Sequence, residues 1–157
     1  MVVGVILKAW EHPDADKLYC EEIDVGEEKP RNIASGLRKF YTLEEMQGRR
    51  VVVMANLKAR PMMGFKSEGM VMCASNEDHT EVKFIEPPPG AAPGTRVTVK
   101  GVDGEPATPA QVTKKKMLEK CLPRLHTDAK GVPGFEGKAF VVGEECCTSP
   151  LPGAHVG

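Results

Sequence analysis

The chain has 157 residues, 41% of them hydrophobic and 27% charged, with 21 Lys and Arg set against 22 Asp and Glu for a formal net charge of −1. This length suits one domain, or one domain with a small appendage, and is enough to bury a core without metals or disulfides. The composition excludes wholesale disorder and a uniformly basic nucleic-acid coat. No run approaches the roughly 18 apolar residues that a membrane helix needs, and the N-terminus lacks the basic and apolar regions of a secretory signal.

In chain order, residues 1–100 alternate short β-rich runs with Gly, Pro, Asn and Asp punctuation. Val2–Trp10, Leu18–Val25, Arg31–Ser35, Val51–Asn56, Met70–Ala74, Glu81–Ile85 and Arg96–Lys100 read as strands. Leu18–Val25 is the least regular: Glu21 and Glu22 interrupt its apolar positions, as in a curved or bulged strand with one wet face. Turns fall at His12–Asp16, Gly26–Pro30 and Pro87–Gly94. A single helical turn is expected at Leu43–Gln47, with Thr42 as its N-cap. Short strands at this spacing with one helical insert predict a small closed or partly closed β-barrel.

Residues 101–157 are less regular and read as an appendage packed on the barrel. A short helix is expected around 114–122, where Leu118, Cys121, Leu122 and Leu125 have helical spacing, and Pro123 is expected to end it. Ala139–Val142 reads as one more strand, and Pro150–Gly157 as a loose tail.

Charge is unevenly spread. Residues 1–86 carry a net −3 and residues 87–157 a net +2, so an anion site must come from local clustering. Five cysteines, at 20, 73, 121, 146 and 147, include no CxxC pair, and four scattered histidines offer no zinc spacing. The simplest reading is reduced thiols in the cytosol. No nucleophile elbow, P-loop or GxGxxG is present, so no enzyme constellation emerges.

The densest functional signal is Asn56–Met70, which follows the apolar run Val51–Ala55 and reads as a loop at the barrel mouth. Lys58, Arg60 and Lys66 supply cations, Asn56 and Ser67 supply hydrogen-bonding groups, and Met and Phe supply polarisable apolar surface. Phosphates call for the first two kinds of group and unstacked bases for the third. Composition alone fits a solvated loop with Met63 and Phe65 turned inward slightly better. His12–Leu18 offers one His and two Asp, but Pro and Asp there build a tight turn before a strand. Lys114-Lys115-Lys116 is the only run of three cations; it reads as a solvated helix start, or as an outer extension of a phosphate track.

Ordered motifs then become recognisable: Val3-Gly4-Val5-Ile6, His12-Pro13-Asp14-Ala15-Asp16-Lys17-Leu18-Tyr19, Ile23-Asp24-Val25-Gly26, Ser35-Gly36-Leu37, Asn56-Leu57-Lys58, Gly64–Ala74 and Glu86-Pro87-Pro88. Together they closely resemble the C-terminal tRNA-binding domain of the endothelial monocyte-activating polypeptide II family. That family includes synthetase cofactors and C-terminal extensions of methionyl- and tyrosyl-tRNA synthetases. The match is dense over residues 2–100, includes the Lys114–Lys116 run, and thins from about 123.

The resemblance implies an all-β-dominated chain: an OB-fold five-stranded barrel over residues 1–100 and a small C-terminal domain over 101–157. It implies non-catalytic binding of tRNA with little sequence preference, accessory to an aminoacyl-tRNA synthetase in the cytoplasm. No cofactor, metal, membrane or small-molecule substrate is implied. Carried over residue by residue, the binding motif falls on Asn56, Lys58, Arg60, Lys66, Ser67 and Met70, with Ser35 on the neighbouring strand and Lys39 after it. Lys114, Lys115 and Lys116 would form an outer contact. In this scheme the cations neutralise phosphates, Asn56 and Ser67 donate hydrogen bonds, and Met70 packs beside a base or ribose. The alternative is a protein–protein docking module of a multi-synthetase complex with weak RNA binding, which the near-neutral charge favours. The first strand starts at the second residue, as expected of a piece of a larger synthetase or cofactor.

Overall fold

The computed structural model describes residues 1–157. Five strands form the first sheet: β1 (Val2–Glu11), β2 (Tyr19–Asp24), β3 (Arg31–Ser35), β4 (Arg50–Met54) and, after the short strands β5 (Arg60–Met62) and β6 (Phe65–Ser67), β7 (Met70–Val71). Their order is β3-β2-β1-β4-β7, antiparallel throughout. Side-chain and backbone bonds draw the two edges together. The Glu68 N–H donates to the Asn32 carbonyl at 2.7 Å, and the Ala34 N–H donates to Ser67 Oγ at 3.0 Å. Arg31 donates to the carbonyls of Ala55 (2.6 Å) and Glu68 (3.0 Å). The sheet is therefore an OB-like barrel, as expected.

The core follows from strand alternation. Val51 and Val53 of β4 face the barrel interior with Ile6, Ile23, Ile33, Met46 and Phe84, whereas Val52 faces outward into a second cluster. Three consecutive buried valines mean that both faces of this strand are covered. Each such side chain contributes about 1.5–3 kcal/mol by burial. The second cluster joins Val3, Val52, Met72 and Ile85 to Leu125, Phe140 and Val156, so it draws on both sides of residue 100.

The irregularity expected in residues 18–25 lies in the facing strand. Register shifts between Ile6 and Lys8 in β1, leaving Leu7 unpaired and 55% exposed. Glu21 does not mark a wet face; it is completely buried. The helix α1 (Leu43–Met46) does begin at Thr42, in a full capping box: Thr42 Oγ1 accepts from the Glu45 N–H at 3.2 Å, and the Glu45 carboxylate accepts from the Thr42 N–H at 2.8 Å.

The expected strand 70–74 is divided. Past β7 the chain turns at Met72 and enters β8 (Cys73–Ser75), which pairs with β9 (Val82–Phe84) in a second sheet. Arg96–Lys100 is likewise divided: Arg96 bridges Val2, while β10 (Thr98–Val99) joins the second sheet. Two helices follow, α2 (Pro109–Lys114) and α3 (Met117–Cys121), then a 3-10 turn at Leu122–Arg124 that contains Pro123. A single helix over 114–122 is thus replaced by two, hinged at Lys115–Lys116. The start of α2 is a second capping box, with Thr108 Oγ1 accepting from the Gln111 N–H at 3.2 Å and Pro109 at the helix start.

The second sheet is completed by β11 (Leu125–Thr127), β12 (Pro133–Phe135), β13 (Lys138–Val142), β14 (Glu145–Cys146) and β15 (His155–Val156). Its order is β10-β13-β12-β11-β15-β8-β9, with β14 on β13. The expected loose tail is therefore a strand between β11 and β8. Val156 and Ala154 are buried, and Gly157 exchanges backbone bonds with Cys73 at 2.8 and 3.0 Å. Small residues and a strand of only two residues hid this pairing from the sequence. No helix is long and apolar enough to cross a membrane. All five cysteines are free thiols.

Candidate nucleic-acid interface

Asn56–Met70 forms a hairpin rather than an open loop. Strands β5 and β6 pair Arg60 with Ser67, Pro61 with Lys66 and Met62 with Phe65. The two linking residues, Met63 and Gly64, both have positive φ (52° and 84°), as a tight two-residue turn requires. Met63 is 63% exposed at the tip, outside the core. His12 anchors the hairpin to the barrel. Its Nδ1 accepts from the Asp14 N–H at 3.0 Å, so its proton sits on Nε2, which donates to the Met62 carbonyl at 3.1 Å. Phe65 packs edge-on against Trp10, with ring centroids 6.0 Å apart, and against His12.

Facing residues of an antiparallel pair share one side. Arg60 thus shares a side with Ser67, Met62 and Phe65, and Lys66 points the other way. The first side borders a cavity of about 680 Å³ between the barrel, the hairpin and the α2–α3 hinge. Its walls include Leu37, Phe40, Met62, Met70, Val112 and Leu118. Lys58, Arg60 and Lys116 line it too, all exposed and in no ion pair. Glu119 is the one acidic side chain in its lining.

Of the residues singled out in the sequence, Ser35, Lys58, Arg60, Ser67, Met70 and Lys116 therefore border one cavity. Lys39, Lys66, Lys114 and Lys115 are exposed but do not line it. Two side chains have structural work. The Ser67 hydroxyl accepts from the Ala34 N–H, which closes the barrel, and donates to the Gly69 carbonyl at 3.2 Å, so its only proton is spent within the β6–β7 link. Asn56 Nδ2 donates to the Ala107 carbonyl at 2.9 Å, tethering the barrel mouth to the segment before α2. Phe65, read in the sequence as polarisable surface or as turned inward, is partly exposed; Trp10 beside it is a partly exposed aromatic that the sequence does not single out, because strand alternation alone does not say what lies over it.

The floor holds unpartnered groups. The Ser35 hydroxyl makes no hydrogen bond although the residue is only 8% exposed. Behind it lies Glu21, two residues along from Ser35's own cross-strand partner Tyr19. Burial pushes the Glu21 carboxyl up to about 8. The nearby Ser35 hydroxyl draws it partly back, but the two groups fall short of hydrogen-bonding geometry. Burial also pushes the Cys73 thiol up to about 12, helped by the Glu21 charge. Both shifts favour the neutral, protonated forms, whereas the exposed rim of the cavity is cationic.

Residues 1–96 match the family model described as "Putative tRNA binding domain". The chain belongs to this tRNA-binding domain family. It is 51% identical over 145 residues to a probable methionine–tRNA ligase of Oryza sativa subsp. japonica, which covers 92% of this chain and 18% of that protein. It is 46% identical over 140 residues to the aminoacyl tRNA synthase complex-interacting multifunctional protein 1 of Mus musculus, covering 89% of this chain and 44% of that one. The chain thus spans less than half the length of either relative. The crystal structure of the C-terminal domain of Plasmodium vivax p43 superposes with a TM-score of 0.91 at 33% identity, over 99% of this chain and 94% of that one. The likeness therefore continues past residue 123, where the sequence motifs thin out.

Proposed function

We propose that this chain is a non-catalytic module that binds folded tRNA with little sequence preference, in the cytoplasm, as an accessory to an aminoacyl-tRNA synthetase. The observation that carries this is the cationic rim. In a chain of net charge −1, Lys58 and Arg60 from the hairpin stretch and Lys116 from the distant α2–α3 hinge come to one cavity mouth, and no carboxylate forms an ion pair with them. Clustered unpaired cations attract phosphates where bulk charge does not. Arg31, Arg38, Arg49 and Arg124 are by contrast in ion pairs with glutamates. Lys66 on the back of the hairpin, Lys114 at the end of α2 and Lys115 in the hinge add outer phosphate contacts. Family membership and the two synthetase-related relatives support the same reading.

Fluorescence anisotropy with folded tRNA at about 50 and 200 mM salt tests it. Neutralising about four phosphates gives a log–log salt slope of roughly −3 to −4. The combined change Lys58→Glu, Arg60→Glu and Lys116→Glu is expected to abolish binding while leaving the thermal transition intact. Retained affinity in that variant would sink the proposal. Co-purification with a synthetase after nuclease treatment, without any tRNA shift, would favour the protein-docking alternative to which the near-neutral charge points.

A further inference from the structure

The cavity differs in kind from the phosphate-binding rim around it. A surface that only tracks an RNA backbone needs cations on an open face. Here the cations stand at the mouth of a recess of about 680 Å³, within the size range of small-molecule pockets. Its walls are apolar and polarisable: Leu37 and Phe40 from the segment after β3, Met62 and Met70 from the hairpin and β7, Val112 and Leu118 from the helices. A phosphate gains nothing from such walls, because burial there would strip its water without returning hydrogen bonds.

The floor is equally selective. Ser35 Oγ is buried and has no partner, and the buried Cys73 thiol also lines the cavity. An unpaired buried hydroxyl costs about 1–3 kcal/mol unless a ligand or water satisfies it. It therefore marks where an uncharged donor–acceptor edge would belong. Apolar walls, an unsatisfied neutral hydroxyl below and three cations above match one chemical object: a nucleotide with its base inserted and its phosphates left at the rim. Unstacked bases are read in this way, by packing against side-chain faces and hydrogen bonding at the edge.

From this juxtaposition we infer that the cavity between the barrel and the α2–α3 hinge receives a single unstacked base of the bound RNA, with Ser35 Oγ at its edge and Lys58, Arg60 and Lys116 on the flanking phosphates. The inference rests on the tRNA-binding reading and adds a site to it. The Ser35 hydroxyl donates to a ring nitrogen or carbonyl of the base. A single open recess explains how binding tolerates many sequences: it holds one base by its faces and asks little of the bases on either side.

Gly36 permits a clean test. It borders the cavity, its backbone is not left-handed, and an added Cβ meets nothing within 4 Å. Gly36→Trp should fill the mouth without disturbing the barrel, and an unchanged thermal transition checks that. Ser35→Ala removes only an unpartnered hydroxyl, so it should fold at least as well as the parent. In anisotropy with folded tRNA, Gly36→Trp is expected to lose roughly tenfold or more in affinity, and Ser35→Ala a few-fold, with the salt slope unchanged because no phosphate contact is lost. In NMR titrations, adenosine and cytidine 5′-monophosphates should shift the amides of Ser35, Gly36 and Thr113, whereas base-free ribose 5-phosphate should not; Gly36→Trp should abolish the shifts. If the parent and Gly36→Trp bind tRNA equally, the base site is wrong while the tRNA-binding reading stands. If the parent binds no tRNA at all, that reading has failed. If an apolar peptide shifts these amides and the nucleotides do not, the cavity is a protein-docking site and the inference is overturned.

Discussion

Asn56 and Ala107 stand 51 positions apart, yet the Asn56 side-chain amide donates to the Ala107 carbonyl at 2.9 Å. This bond holds the segment that leads into α2 against the barrel mouth, so the helical wall of the cavity depends on it. Asn56→Ala is expected to cost about 1 kcal/mol of stability, the usual net worth of one partly buried hydrogen bond. It should weaken tRNA binding less than Arg60→Glu does, because no phosphate contact is lost. Denaturant unfolding and anisotropy on the same two variants separate the effects.

Lys116 has φ 51° and ψ 42°, a left-handed conformation that costs a non-glycine residue roughly 1–2 kcal/mol. Lys116→Gly should relieve that strain while deleting a rim cation. The expected result is an unusual pair: a melting temperature unchanged or raised, and tRNA affinity lowered with a shallower salt slope. Lys114, the last residue of α2, has no positive φ to relieve, so Lys114→Gly should not raise the melting temperature.

Glu21 makes stability depend on pH. Its folded value near 8 lies above the ordinary 4.5, so the folded state holds a proton that the unfolded state releases. Its contribution is therefore fully favourable below about 4.5, declines as pH rises towards 8, and is level above that. Glu21→Gln removes this titration. Compared with the parent, the variant should gain stability steadily between pH 5 and 8, as followed by thermal denaturation across that range. A constant difference across the window would show that Glu21 does not titrate there.

Residues 101–157 cover one face of β4. Removing them would strip Leu125, Phe140, Cys147, Ala154 and Val156 from the cluster that includes Val3, Val52 and Met72. We propose that 1–100 and 101–157 are separable in sequence but not in stability. A chain ending at Lys100 is expected to aggregate or bind hydrophobic dyes, whereas the intact chain does not, as size-exclusion chromatography would show.

The barrel was legible because its signals are local. Alternating apolar residues marked β1, β3 and β4, and Thr42 with Glu45 marked α1. Thr108-Pro109-Ala110-Gln111 carried an equally local signal, but Gly, Pro and Ala around it suggested irregular chain. Glu21 was misread because a carboxylate normally marks a wet face, and only the closed barrel shows where it goes. The turn at Met63–Gly64 lacks the usual Asn or Asp before its glycine, so the hairpin looked like a loop. The cations could be chosen by type, but which of them meet could not: strand pairing sends Arg60 and Lys66 to opposite sides, and the α2–α3 hinge brings Lys116 to join Arg60.

The unpaired Leu7 acts as a phase shifter. Before it, the even-numbered residues Val2, Gly4 and Ile6 face the barrel interior; after it, the odd-numbered Ala9 does. Without this one-residue offset, Lys8 and Trp10 would be driven into the apolar core and Ala9 would face water. The offset instead sends Trp10 outward to the flank where Phe65 lies edge-on against it. One extra residue in the first strand thus decides whether the hairpin has an aromatic seat at all, and the hairpin forms a wall of the cavity. Deleting Leu7 should therefore unseat a cavity wall encoded some fifty residues away, although Leu7 itself has no place in that wall.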